Sequence, residues 1–183
     1  MPDLATKPHL IELNLRDIHQ LFNSMDPSPF HDKDLDRGAE EFIVSWAREY
    51  PLDEPVTLRV HLEQWPAENP TQLIRDSVHN YFGYRRDMAQ LDFRRLMRQG
   101  RASLMIGLLF LGACLVAREL LSQAPGHVVG YLSESLIIIG WVAMWKPMEI
   151  YLYEWWPLRR EIRNFTRLTV MPIEVIAKAP AQG

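Results

Sequence analysis

The chain has 183 residues and a formal net charge of −3, room for one modest soluble domain plus a membrane segment, and with no global basic field of the kind nucleic acid selects. Its single cysteine excludes a disulfide framework within one chain. A mean hydropathy of −0.16 averages a polar N-terminal half with an apolar middle, so it is no argument for a soluble protein.

Met1 to Leu10 carries Asp3, Lys7, Pro2 and Pro8 and has no apolar core. Met1 to Pro8 reads as a loose lead-in, and no secretory signal is expected, which keeps the N-terminus in the cytoplasm. Ile11 to Arg16 alternates apolar and polar residues, predicting a strand with one buried face. Ile18, Leu21 and Phe22 continue at helical spacing for a turn. Two prolines make Asn23 to Phe30 a loop. A helix is expected from Asp34 or Asp36 to Tyr50, its early carboxylates matching the positive helix end and Pro51 stopping it. Val56 to Leu62 alternates cleanly and predicts a second strand. Strand, helix and strand form a βαβ-like unit, expected to be parallel, with Phe42 and Trp46 covering the sheet.

Asn69-Pro70 is a helix-start signal, a capping side chain followed by proline at the first helical position. The helix it opens carries Leu73, Ile74, Val78, Tyr81, Phe82, Ala89, Phe93 and Leu96 on one broad face. It is expected to be a stalk of about 45 Å, with Gly83 and Gly100 as bends. Ala102 to Ala117 then contains no charge. At 1.5 Å per residue it covers roughly 24 Å, and Leu120, Leu121 and a snorkelling Arg118 extend it to bilayer thickness. A second apolar run, Tyr131 to Tyr153, follows a turn rich in helix breakers and returns across the same membrane. Pro157 marks a break, Leu158 to Leu168 reads as a basic interfacial helix, and Pro172 to Ile176 as an edge strand.

The expected fold is therefore a membrane α-helical hairpin plus a small cytoplasmic α/β domain, joined by a long helical stalk. Residues 1–68 form the α/β domain, 69–101 the stalk, and 102–154 the hairpin, with spans near 102–121 and 131–153. Residues 155–183 complete the chain as basic helix, edge strand and tail. Arg94, Arg95, Arg98 and Arg101 precede the first span, and Arg159, Arg160 and Arg163 follow the second. The connecting turn has no Lys or Arg, so the positive-inside rule places both termini in the cytoplasm.

Within the hairpin, Lys146 and Glu149 stand three apart and are expected to pair where an unpaired charge is costly. Arg118 and Glu134 fall level in an antiparallel hairpin and are expected to bridge. Trp141, Trp145, Tyr151, Tyr153, Trp155 and Trp156 have the chemistry of interfacial anchors. Gly107 and Gly112 offer small surfaces for helix packing, and Cys114 reads as a small apolar packing residue.

Asp32, Asp34 and Asp36 fail the calcium-loop pattern, since glycine falls one place late and Ile43 stands where a glutamate should close the loop. They read as helix-start carboxylates. The histidines form no metal-ligand pair, and no nucleophile elbow, phosphate loop or dinucleotide fingerprint occurs. No catalytic residue, cofactor or metal is assigned. A membrane enzyme is the third reading, with Asp26, His31 and Asp32 as a site facing the lipid surface, although nothing in their spacing demands it.

The string Trp141-Val-Ala-Met-Trp-Lys-Pro-Met-Glu-Ile-Tyr-Leu-Tyr-Glu-Trp-Trp-Pro157, with the Phe22 to Asp36 segment, resembles an uncharacterised family of bacterial two-transmembrane-helix proteins. The resemblance covers most of Leu10 to Ile176; it implies the bacterial inner membrane and no particular activity. The expected function is non-enzymatic, a self-associating membrane anchor or adaptor whose partners are the bilayer, further copies of the chain and a cytoplasmic protein. The alternative is a homo-oligomeric ion channel or membrane-disrupting effector lined by Glu134, Lys146 and Glu149.

Overall fold

The computed structural model describes residues 8–23, 34–67, 69–122 and 127–178. The elements are β1 (His9–Leu15), a short 3-10 turn (Ile18–Leu21), α1 (Arg37–Glu49), β2 (Val56–Leu62), α2 (Pro70–Ser122), α3 (His127–Ala143), α4 (Trp145–Glu149), a π turn (Ile150–Glu154), α5 (Trp155–Leu168) and β3 (Ile173–Ala177). The chain divides into two compact units. A head comprises Met1–Ala89 with Arg160–Gly183, and a hairpin unit comprises Gln90–Arg159. These limits differ from the expected division at residues 68, 101 and 154.

The head is built on a three-stranded sheet in the order β1-β2-β3. Both pairings are parallel, with Ile11 opposite Leu58 and Leu58 opposite Ile173. Strand periodicity sends Ile11, Leu13, Leu15, Val56, Leu58, Val60, Leu62 and Ile173 into one core. The other face is polar, and there Arg59 reaches Glu12 at 3.5 Å and Glu174 at 2.9 Å, tying the three strands together. The expected edge strand is present, starting just after Pro172, whose carbonyl accepts from the Leu58 N–H at 2.9 Å.

Asp36 caps α1, its carboxylate accepting from the N–H groups of Gly38 (2.8 Å) and Ala39 (3.4 Å). Ala39, Ile43, Val44 and Ala47 are the buried face of the helix. Trp46 does not cover the sheet: it is 40% exposed, while Phe42 packs at the margin of the core. Small Ala39 and Ala47 let the helix approach closely, and Trp46 is turned about 100° away from Ala47. The far end of α1 is held by Arg167, which donates to the carbonyls of Ala47, Pro51 and Glu54 and to Asn164 Oδ1. A guanidinium there satisfies helix-end carbonyls that have no intrahelical donor. Burial pulls Arg167 below the usual arginine range.

The start of α2 is capped as expected, with Asn69 Oδ1 accepting from the Thr71 N–H at 3.0 Å. Its first twenty residues are not a free stalk, because Ile74, Val78, Phe82 and Ala89 belong to the head core. Nor does α5 present an interfacial face over residues 160–168: Phe165 and Leu168 are buried in the same core, and Phe82 stacks on Phe165 with centroids 6.2 Å apart. An apolar stripe that would otherwise face lipid is covered because β3 draws the end of the chain back to β2. Helix α2 runs unbroken through Gly83 and Gly100.

Helices over Pro70–Leu121 and Gly130–Leu168 are long and apolar enough to cross a membrane. The second departs from the single helix expected over Tyr131 to Tyr153. Pro147 has no N–H to offer the Ala143 carbonyl, and the ladder slips there: the Met144 N–H donates to Trp141 at 3.0 Å, and the Ile150 N–H reaches both Lys146 and Pro147. The π turn follows directly.

Phe82→Ala is expected to destabilise the head by about 3–5 kcal/mol. Gly83→Ala, next to it but with nothing within 4 Å of the added methyl, is expected to stabilise by about 0.5–1 kcal/mol. Chemical denaturation followed by circular dichroism in detergent compares the two.

Candidate functional site

The hairpin unit is organised by small residues at seven-residue spacing. Gly100, Gly107 and Cys114 are buried on α2, and Ser133, Gly140 and Pro147 are buried on the returning helices. They meet in antiparallel order. A methyl added at Gly100 would lie 3.0 Å from Ile150, one at Gly107 3.1 Å from the Ala143 carbonyl oxygen, and one at Gly140 2.7 Å from Leu111 and 3.3 Å from Cys114. A strict heptad keeps one seam facing its partner, and small residues along it let backbones approach closely. Gly107 is thus a packing residue as expected. Gly112 is not, since nothing among the described residues lies within 4 Å of its added methyl. The readable signal in the sequence is the seven-residue series Gly100-Gly107-Cys114 rather than Gly112.

With small residues inside, large apolar ones point out. Leu109, Ile106, Val116, Ile138 and Val142 are all more than 60% exposed. So are Trp141, Trp145, Tyr153 and Trp156, whereas Tyr151 is less exposed and its carbonyl accepts from Trp155 Nε1 at 2.8 Å. Trp141, Trp145, Met148, Leu152 and Tyr153 line a surface groove of about 680 Å³.

The expected pairing of Lys146 with Glu149 is present at 3.2 Å. A second carboxylate, Glu154, approaches closer, at 2.7 Å. Eight residues is not a spacing that aligns side chains on a regular α-helix. It becomes one here because it is a three-residue step followed by a five-residue π turn. Arg118 and Glu134 do not bridge: both are exposed, and no ion pair joins them among the described residues. Ser133 occupies the seam, so Glu134 is turned about 100° away from it.

Among the arginines, Arg95 pairs with Asp92 at 3.2 Å and Arg159 lies over the Trp155 ring at 5.7 Å. Arg94, Arg98, Arg101, Arg160 and Arg163 are exposed.

Within the head a polar cleft of about 690 Å³ opens beside α1. At its base Glu40 accepts from the Tyr81 hydroxyl at 2.7 Å and pairs with Arg85 at 2.9 Å, and the Arg85 guanidinium rests 5.4 Å from the Phe165 ring centre. Arg48 and Glu161 face each other across the rim at 3.6 Å. Burial, then the Glu40 hydrogen bond, raises the Tyr81 hydroxyl well above the usual phenol range. These charges are matched within the chain, so the cluster clasps α1 to α2. Sequence pattern alone gives Tyr81 as one more apolar-face residue and gives no role to Glu40, because the partners stand on different helices.

No group of His, Cys, Asp and Glu that could hold a metal occurs among the described residues. Asp36 serves as the α1 cap; Asp26, His31 and Asp32 lie outside the described residues. The chain matches no family model, no curated protein and no solved structure.

Gly107→Val is expected to cost the hairpin about 1–3 kcal/mol through overpacking, while Gly112→Val leaves it within about 0.5 kcal/mol; thermal unfolding in one detergent measures both. The Tyr81 hydroxyl titrates higher folded than unfolded, so its contribution is complete below about pH 10 and is lost as pH rises further. The melting temperature of the head should fall above that pH, and Tyr81→Phe should flatten the fall.

Proposed function

We propose that this chain is an integral protein of the bacterial inner membrane, in which the hairpin anchors the head on the cytoplasmic side as a non-enzymatic adaptor. The observation that carries the reading is the inverted distribution of side chains in the hairpin unit. Glycine, serine and cysteine fill the seam, while leucine, isoleucine, valine and tryptophan point outward. In water that arrangement wastes apolar surface. In lipid it is the expected one, because the seam is held by close packing and the outer surface meets acyl chains.

Orientation follows from charge. Arginines flank both ends of the hairpin sequence, and residues 122–130 contain no Lys or Arg, which supports cytoplasmic termini. Lys146, held by two carboxylates, suits an anchored boundary better than a conducting pore, where an ion must exchange freely with the lining groups. Lateral self-association and recognition of a cytoplasmic protein by the head complete the proposal. Two spans leave most of their outer surface available for further copies.

Membranes carrying the protein are expected to retain it through alkaline carbonate, and a reporter fused after Gly183 should be active only in the cytoplasm. Release by carbonate, or an external reporter, overturns the proposal. Sedimentation in detergent should give an oligomer, and a clean monomer removes the self-association part.

A further inference from the structure

We infer that Arg94, Arg98 and Arg101 form a docking surface for the headgroup phosphates of anionic phospholipid, an inference that rests on the membrane reading above. The first observation is placement. Four- and three-residue steps put the three guanidinium groups on one stripe of α2 about 10 Å long, ending one residue before the uncharged run from Ala102. In a spanning helix this is headgroup depth.

The second is direction. Gly100 is fixed on the seam, 3.0 Å from Ile150 to its would-be methyl. At about 100° per residue, Arg94, Arg98 and Arg101 stand between roughly 100° and 160° round the helix from it, all on the same side. They face away from the returning helices, and all three are exposed.

The third is the contrast in partners. Neighbouring Arg85, Arg86 and Arg95 each have a carboxylate, from Glu40, Asp87 and Asp92. The stripe has none among the described residues. Like charges at helical spacing repel, so an uncompensated stripe is stabilised only by anions from outside the chain. All the cations of residues 90–101 are arginine rather than lysine. The planar guanidinium fork grips a phosphate bidentately, which the ammonium of lysine does not.

The test is microscale thermophoresis of the detergent-solubilised full chain against phosphatidylglycerol, with phosphatidylcholine of the same chain length as reference. The wild type should prefer phosphatidylglycerol. The triple variant Arg94→Gln, Arg98→Gln, Arg101→Gln should bind it roughly a hundredfold more weakly, about fivefold per arginine. Arg95→Gln, which removes an arginine already tied to Asp92, should change affinity less than about twofold by the same arithmetic. Undiminished binding by the triple variant overturns the inference. So does an equal loss from Arg95→Gln, which would mark bulk charge, or equal binding of phosphatidylcholine, or displacement of the lipid by inorganic phosphate. Carbonate extraction separates the two readings: a protein that stays in the membrane yet shows no headgroup preference overturns this inference alone.

Discussion

The close approach of α2 to the returning helices sets the structure of the hairpin unit. It depends on the absence of side chains at three positions, Gly100, Gly107 and Gly140, where even a methyl group would press on the opposite helix. The hydrophobic effect does little between helices immersed in lipid, since an acyl chain solvates leucine as well as leucine does. Dispersion between backbones brought into contact is what remains. The seven-residue interval extends that contact along the whole seam.

The head obeys the opposite rule. Its sheet order follows chain order, so each crossover returns to the next strand along and the helices collect on one face. The apolar residues of all three strands lie beneath them. The other face is polar and cross-linked through Arg59, although parallel sheets more commonly have both faces covered. The Arg167 cap on α1 and the Glu40 clasp between α1 and α2 add direction to a core that burial alone would leave free to slide. Removing one partner of such a group costs more than the bond itself is worth, because the other is left buried and unsatisfied.

Strands and the first helix were legible because one period decides them. Alternation bounded β2 at Val56 and Leu62, and the Asp36 carboxylate and Pro51 bracketed α1. Periodicity tells that a face is apolar, however, and not what will cover it. The stripe Ile74-Val78-Phe82 fits a stalk or a core equally well, and only the return of β3 to β2 decides between them. The same ambiguity hid the role of Phe165 and Leu168, which read equally as an interfacial face. Trp46 lies away from the sheet for a related reason: on a helix that approaches its sheet through alanines, a large ring one position along is pushed to the margin.

The π turn shows how a local defect can create a site. Pro147 interrupts the ladder at the level of Gly107, where a side chain would have met the Ala143 carbonyl. The missing N–H and the missing side chain are thus opposite one another. One turn later the widened backbone carries Glu154 to the same side as Lys146, which two carboxylates then hold. At the edge of a hydrocarbon layer an unpaired ammonium is costly, whereas one held between carboxylates keeps much of the Coulombic compensation that water would give it. Proline, glycine and the second glutamate therefore act as one arrangement, in which irregular backbone is tolerated because it lets a charge be matched.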